Sequence, residues 1–375
     1  MSVQYCPGSA VVVQGHEDGA AAPAAPTPEP PIAEPPRQRK SRWRRLGGLL
    51  AFALVIAALF AFLPGHVDEL REELRRMEAG DWRWLVFAAG LECASFAGYV
   101  VLFRSVFSDA MLRISWGESY QITMAGVVAT RLFAAAGAGG VALTAWALRR
   151  AGMQAATVAR RMVEFLVVLY AVYAAALVVA GAGLYGGIFP GTSPLGLTLP
   201  IAGAAALAMC FALATTLVPG NLAARFQGSG KVVIWLARGA STVAGGVRDA
   251  VRLLRRDPLG ALGAPIWWFF DIAVLWATFK AFGQAPTPAV LVMAYFVGTL
   301  GNLLPLPGGV GGVDGGIIAA LVGFGVSPGI AFLAVLTHRV FAFWLPTIPG
   351  GIAYLQLRRT VGRWERDEAP APATL

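Results

Sequence analysis

Runs of about 20 apolar residues recur along this chain, and each is long enough to cross the hydrocarbon core of a bilayer. Examples are GGLLAFALVIAALFAFL (47–63) and PIWWFFDIAVLWATFKAFG (265–283). Hydrophobic residues make up 57% of the 375 residues and charged residues only 14%. A soluble domain has too little interior to bury that much apolar surface. The sequence therefore predicts an all-α polytopic membrane protein.

Clusters of basic residues set the predicted topology, because Lys and Arg near a membrane span mark the cytoplasmic side. One cluster precedes the first span at 37–45, and others lie at 149–161, 225–256 and 358–363. This distribution predicts a multi-pass protein of the inner (plasma) membrane with cytoplasmic N- and C-termini. About six full transmembrane helices are expected, at 47–63, 83–107, 162–184, 198–219, 265–283 and 329–357.

The segments outside these spans divide the chain further. Residues 1–40 are rich in Ala and Pro, lack apolar periodicity and predict a disordered cytoplasmic tail. Residues 41–360 are expected to form the membrane domain, and 361–375 a second cytoplasmic tail. Within the domain, about 224–257 combines seven cations with apolar residues at helical spacing. This pattern predicts an interfacial helix, which serves either as a topological anchor or as a sensor of lipid headgroups.

Two glycine-rich segments interrupt apolar stretches, AAAGAGG (134–140) and NLLPLPGGVGGVDGG (302–316). Both ends of the first fall on the predicted inner side, and both ends of the second on the outer side. Each therefore predicts a re-entrant helical hairpin, and the two enter from opposite faces. The halves at about 83–184 and 262–357 then have opposite orientations, which is the inverted-repeat pattern of secondary transporters.

Charged residues inside the apolar segments are the candidate site, since a charge at the bilayer centre costs roughly 2.5–3.5 kcal/mol on insertion scales. The predicted substrate-binding residues are Arg339, Asp314, His338, Arg131 and Glu164, with the glycines Gly308, Gly309 and Gly311. Glu92 and Asp271 occupy matching helices of the two halves and are candidates for proton coupling.

Structural roles compete with these assignments. The glycines fit close helix packing equally well. Asp314 is also placed to cap a half helix beginning near Gly315, with Arg339 neutralising it. A single His in a membrane helix commonly serves as a packing residue, which is the alternative for His338.

The second glycine-rich segment and the span after it resemble the flippase-like domain, the transmembrane region of lysylphosphatidylglycerol synthases. That pattern is a Pro-x-Pro-Gly-Gly-x-Gly turn, an acidic residue, a Gly-Val pair and a polar pair in the last span. The matching residues are Pro305, Pro307, Gly308, Gly309, Gly311, Asp314, Gly325, Val326, His338 and Arg339. Asp314 stands where the family usually has Glu, and the first half departs further because Phe165, not Arg, follows Glu164. The soluble aminoacyl-transferase domain of those synthases is not expected after residue 360.

The resemblance implies a transporter that moves a phospholipid or a polyprenyl-linked lipid between leaflets by alternating access. The expected partners are membrane lipids with an anionic or modified headgroup, and a lipid- or glycan-modifying enzyme is a candidate partner. The alternative is a non-transport membrane partner or scaffold for such an enzyme. No enzyme activity, cofactor or nucleic-acid binding is expected, and Cys6, Cys93 and Cys210 lack the spacing of a metal site.

Overall fold

The structure is a computed structural model that describes residues 80–108, 114–132, 138–219, 230–283, 285–303 and 311–367. The described residues are mostly helical and contain no β-strand, as the all-α prediction requires. The helices are α1 (Trp82–Phe107), α2 (Trp116–Leu132), α3 (Ala138–Arg150), α4 (Ala155–Tyr185), α5 (Leu195–Ala214), α6 (Lys231–Arg256), α7 (Pro258–Ala261), α8 (Gly263–Ala281), α9 (Pro288–Thr299), α10 (Gly312–Gly323), α11 (Pro328–Arg339) and α12 (Leu345–Asp367). A π-helical turn, Val340–Trp344, joins α11 to α12.

Five helical stretches within the described residues are long and apolar enough to cross a membrane. They are Trp82–Phe107, Ala155–Tyr185, Leu195–Leu217, Pro258–Ala281 and Pro328–Trp364. Each corresponds to one of the predicted spans, and α4 begins at Ala155, seven residues before the predicted 162. The first predicted span, 47–63, lies outside the described residues.

The apolar helices α9 and α10 are too short to cross a bilayer. Each has 12 residues and therefore rises about 18 Å, against a hydrocarbon core of about 30 Å. They pack against each other as a hairpin, and α2 packs against α3 in the same way. We call α2–α3 the first hairpin and α9–α10 the second hairpin. The residues that join their arms, 133–137 and 304–310, lie outside the described residues.

Glycines allow the two arms of each hairpin to approach closely. A Cβ atom on Gly140 would lie 2.6 Å from the carbonyl oxygen of Gly126, and one on Gly316 would lie 2.9 Å from that of Gly298. Neither position has room for a side chain. The register that superimposes GAGG (137–140) on GVGG (309–312) also takes Gly126 to Gly298. The contact on the second arm is offset by one helical turn, because Gly140 corresponds to Gly312 whereas Gly298 meets Gly316.

One end of the helix bundle collects most of the described arginines. Arg104 near the end of α1 donates to the carbonyl oxygen of Ile114, just before α2. Trp364 near the end of α12 donates to Glu118 in the first turn of α2. The beginning of α4 lies here as well, because Arg161 donates to the carbonyl oxygen of Val106. The first hairpin therefore starts from this arginine-rich end.

The second hairpin starts from the opposite end. There Asp81, which caps α1, donates its backbone N–H to the carbonyl oxygen of Ala281 at the end of α8. Thr192, in the turn between α4 and α5, donates to the carbonyl oxygen of Phe324 just after α10. The two hairpins thus enter the bundle from opposite ends, as the distribution of basic residues predicts.

The two halves are joined at their centre by α1 and α8. Gly98 faces Gly263 and Ile266 at a distance that leaves no room for a Cβ atom on either glycine. Ser95 donates to the carbonyl oxygen of Trp267 at 2.8 Å and closes the same contact. Each hairpin also packs on a helix of the other half, α2 against α12 and α9 against α4. A two-fold relation between the halves would produce this reciprocal packing of each hairpin on the other half. The inverted repeat itself stays a prediction.

Candidate functional site

A cavity of about 570 Å³ lies between the two hairpins. Its volume is within the roughly 300–1,000 Å³ range of small-molecule sites. Both hairpins contribute to it, as do α1, α4, α8 and the turn between α11 and α12. Four of the predicted substrate-binding residues line it, Arg131, Asp314, His338 and Arg339, and so does Asp271. Charges that are far apart in the sequence are therefore brought together in one place.

Nine of the other lining residues are aromatic. The aromatic lining residues are Tyr99, Phe103, Phe107, Phe165, Tyr170, Trp267, Trp268, Tyr295 and Phe343. Some of these rings pack edge to face, for example Trp268 with Trp267 and with Tyr295 at centroid distances of 6.4 and 6.3 Å. The cavity thus combines a cluster of charges with a large apolar surface, which suits a ligand that has a polar head and an apolar body.

Asp314 and Arg339 form an ion pair at the cavity wall. Arg339 Nη1 lies 3.2 Å from Asp314 Oδ1, and the two side chains are 15% and 13% exposed. The other carboxylate oxygen of Asp314 accepts the backbone N–H of Gly311 at 3.3 Å. Gly311 has φ = 81°, a conformation that glycine adopts readily. The helix begins at Gly312, not near Gly315 as predicted, because Asp314 caps it from within its first turn.

Arg131 joins the first hairpin to the last span. It donates to the carbonyl oxygens of Ala342 and Phe343, both at 2.5 Å, and to Thr347 Oγ1 at 3.0 Å. In an α-helix the carbonyl oxygen of Ala342 would accept from residue 346, but that residue is Pro346 and has no N–H. The π-helical turn and Arg131 together satisfy backbone groups that the proline leaves without an α-helical partner.

Two guanidinium groups flank one aromatic ring in this wall. The Cζ atoms of Arg131 and Arg339 lie 4.9 and 4.4 Å from the centroid of the Phe343 ring. The two cations repel each other, and Glu92 and Asp271 attract Arg131. A pair of arginines at the polar part of an apolar cavity is suited to bind an anionic group such as a phosphate, which guanidinium forks recognise in two-point contacts.

A second polar group involves Asp271, His338 and Tyr295. His338 Nε2 lies 3.0 Å from Asp271 Oδ1, and the Tyr295 hydroxyl donates to Asp271 Oδ2. All three side chains are buried and line the cavity. His338 is therefore more than an apolar packing residue, because its ring contacts the carboxylate of Asp271 on α8.

Glu92, on α1, is a buried carboxylate whose charge interacts with this group. It is 3% exposed, and its Oε2 atom makes no hydrogen bond to any described residue. Its charge interacts with those of Asp271 and Arg131. Glu92 does not line the cavity, so of the two candidates for proton coupling only Asp271 faces it.

Glu164 lies elsewhere, although the sequence groups it with Arg131. It is buried on α4, and its Oε1 atom lies 3.5 Å from Arg256 Nη2 at the end of α6. The structure thus places Glu164 between two helices at the arginine-rich end. Gly311 begins α10, whereas Gly308 and Gly309 lie outside the described residues. Within the described part of the chain no three His, Cys, Asp or Glu side chains form a group able to hold a metal ion.

Sequence reasoning missed three participants in this site, Phe343, Tyr295 and Pro346. The role of Pro346 could have been predicted, because a proline inside a predicted span leaves one carbonyl group without its helical N–H partner. An arginine in the membrane segments is then a candidate donor to that carbonyl group. No sequence signal marked Tyr295 and Phe343, because apolar helices are rich in aromatic residues on every side.

Comparison with known proteins agrees with this architecture. The sequence model of a family described as "Lysylphosphatidylglycerol synthase TM region" matches residues 47–350. A UPF0104 membrane protein of Methanothermobacter thermautotrophicus is 31% identical over 102 residues, which are 26% of this chain and 30% of that protein. A UPF0104 membrane protein of Methanocaldococcus jannaschii is 29% identical over 97 residues, 26% of this chain and 29% of that protein. The matched segments thus span less than a third of these relatives. Since the family model covers most of the chain, this integral membrane protein belongs to the lysylphosphatidylglycerol synthase TM region family.

Proposed function

We propose that this protein moves a lipid with a phosphate-bearing headgroup, a phospholipid or a polyprenyl-linked lipid, between the leaflets of the membrane. One observation carries the proposal: the cavity between two hairpins that enter from opposite ends holds two arginines against a single aromatic ring. The arginines bind the phosphate, and the aromatic walls contact the apolar part of the lipid. Opening of the cavity toward one end and then the other transfers the headgroup across.

The arrangement of helices supports alternating access. The hairpins meet at the cavity, and each packs on a helix of the opposite half. Glycine contacts keep the two arms of each hairpin together, so each hairpin is able to move as a unit. Interrupted membrane segments in corresponding positions of two halves are the usual location of the substrate site in transporters with inverted repeats.

Asp271 is the proposed proton carrier, and the buried carboxylate of Glu92 interacts with it electrostatically. Asp271 contacts the cavity and is held by His338 and Tyr295, so a change in its protonation alters the hydrogen bonds of the wall. Binding of an anionic headgroup to nearby Arg131 and gain of a proton by these carboxylates favour each other electrostatically. A pH gradient would then drive the exchange.

The test is an exchange assay with purified full-length protein in proteoliposomes of phosphatidylcholine. Trace NBD-labelled phosphatidylglycerol and, separately, an NBD-labelled polyprenyl phosphate are the probes, and dithionite reports the fraction in the outer leaflet. We expect R339Q to slow exchange at least tenfold, as loss of one charge-assisted contact of about 1.5–3 kcal/mol implies. The control R358Q removes an arginine of α12 outside the cavity and should exchange like the wild type.

The outcomes separate the alternatives. Equal exchange by the wild type, R339Q and vesicles without protein would refute transport of both probes. Retention of phospholipid by the purified wild type but not by R339Q, without exchange, would instead favour a lipid-binding partner or scaffold. D271N should keep exchange at equal pH but lose its stimulation by a pH gradient. Stimulation that persists in D271N would remove Asp271 from the coupling.

A further inference from the structure

The amphipathic helix α6 has two surfaces of opposite character. An apolar stripe on one side consists of Val232, Leu236, Val243 and Leu254, which are 70%, 56%, 42% and 58% exposed. At 3.6 residues per turn these four positions fall on one face, and the exposed arginines Arg238, Arg252 and Arg255 lie away from it. The described residues leave 42–70% of each of these side chains exposed, whereas Val247 and Ala250 on the same face are buried against the bundle.

Contacts with α4 and α5 hold α6 at the arginine-rich end of the bundle. Arg248 donates to the carbonyl oxygens of Thr216 and Val218, at 3.2 and 2.8 Å, where α5 ends. Arg160 of α4 forms a two-point contact with Asp249, at 2.5 and 2.8 Å. The helix is therefore fixed at the level where the spans leave the hydrocarbon region.

The ion pair of buried Glu164 with the half-exposed Arg256 completes this attachment. Glu164 is only 2% exposed on its side chain, so Arg256 supplies the counter-charge that burial requires. Arg256 and Arg248 therefore hold α6 against α4 and the end of α5. Arg238, Arg252 and Arg255 are exposed. Arg252 donates to Asp249 Oδ1 at 3.2 Å, and its side chain is still 68% exposed.

We propose that α6 lies in the headgroup region of the adjacent leaflet and that Arg238, Arg252 and Arg255 form a binding surface for anionic lipid headgroups. The apolar stripe enters the acyl region, which accounts for its exposure. The arginines on the rest of the surface meet the phosphate layer, where opposite charge attracts them. This site is separate from the central cavity and does not depend on whether the protein transports lipid.

Depth measurements test the placement of the helix. Full-length protein with Cys6, Cys93 and Cys210 replaced by Ala is reconstituted in nanodiscs of phosphatidylcholine and phosphatidylglycerol. An NBD label is attached at V243C, on the apolar stripe, or at S241C, on the opposite side of the same turn. Spin-labelled lipids should quench the label at 243 strongly, and aqueous iodide should quench the label at 241. Iodide quenching at 243, or protection of 243 from both quenchers, would show that water or another protein covers the stripe and would overturn the proposal.

Lipid retention tests the arginines. Native mass spectrometry of protein extracted from the same nanodiscs compares the wild type with R238Q/R255Q. Retained phosphatidylglycerol, relative to phosphatidylcholine, should fall about fivefold for each arginine removed. The control R358Q/R359Q removes two exposed arginines from α12. A loss in the control as large as in R238Q/R255Q, or no loss in either, would refute α6 as a distinct anionic-lipid site.

Discussion

Arg131 of the first hairpin donates a hydrogen bond to the carbonyl oxygen of Ala342, 2.5 Å away in the last span. The contact exists because Pro346 cannot supply the N–H that an α-helix would place there. A proline in one half thus creates a backbone acceptor for an arginine of the other half. The same arginine lines the cavity, so the integrity of the last span and the charge of the site depend on one side chain.

Loss of Arg131 should therefore destabilise the protein, and Pro346 should determine by how much. R131A leaves buried carbonyl groups without their donor, and we expect it to lower the free energy of unfolding in detergent by about 1–3 kcal/mol. In a P346A background residue 346 regains an N–H, so the same substitution should cost about 1 kcal/mol less. Equal costs of R131A in both backgrounds, measured by denaturant unfolding, would show that the proline is irrelevant to this contact.

The ion pair of Asp314 and Arg339 should behave as one unit in a double-mutant cycle. Both side chains are mostly buried, so D314A and R339A should each lower the unfolding free energy by about 3 kcal/mol. The double variant should cost less than the sum, by about 1–3 kcal/mol. D314E keeps the carboxylate and should be the mildest of the series. Strict additivity would mean that the two charges are stabilised by other groups.

Most of the architecture could be predicted from the sequence because of two simple signals. Long apolar runs located the spans, and the arginines assigned their ends to opposite sides of the bundle. The glycine-rich segments marked the hairpins, since close helix packing and interrupted helices both need small residues. Asp314 and Arg339 could be singled out together because charges inside a membrane require partners.

The remaining contacts of the site could not be predicted, and the reason is physical. Helices that are apolar all round carry no periodic pattern, so the sequence does not tell which face of α8 or α9 points toward the cavity. The hydrogen bond of Tyr295 with Asp271 depends on that rotation. Glu164 was grouped with Arg131 through the repeat alone, whereas its actual partner, Arg256, lies on a helix outside the repeated halves.

Neighbouring glycines on α10 offer a direct test of the packing in the second hairpin. A Cβ atom on Gly316 would lie 2.9 Å from the carbonyl oxygen of Gly298, whereas one on Gly315 meets no atom within 4 Å. G316A should destabilise the protein by about 1–3 kcal/mol, because the backbone of α9 has to move. G315A should be neutral or stabilise by up to about 1 kcal/mol, since alanine favours the helix. Thermal unfolding of both variants in the same detergent provides the comparison, and a G316A protein as stable as G315A would contradict the close contact.

Asp257 should make the arginine-rich end sensitive to acid. It lies just before α7, where Ser105 of α1 donates to Oδ2 at 2.6 Å and the backbone N–H of Gly260 donates to Oδ1 at 3.0 Å. These hydrogen bonds lower the pKa of Asp257 below its ordinary value of 3.8. A carboxylate whose pKa is lower in the folded state stabilises the fold fully above the unfolded pKa and loses that contribution as the pH falls through the folded value. At pH 7, D257N should cost about 1 kcal/mol, as expected for a capping residue. The difference in unfolding free energy between the wild type and D257N should shrink steadily from pH 5 to pH 3, and a constant difference over that range would show that the charge of Asp257 contributes nothing.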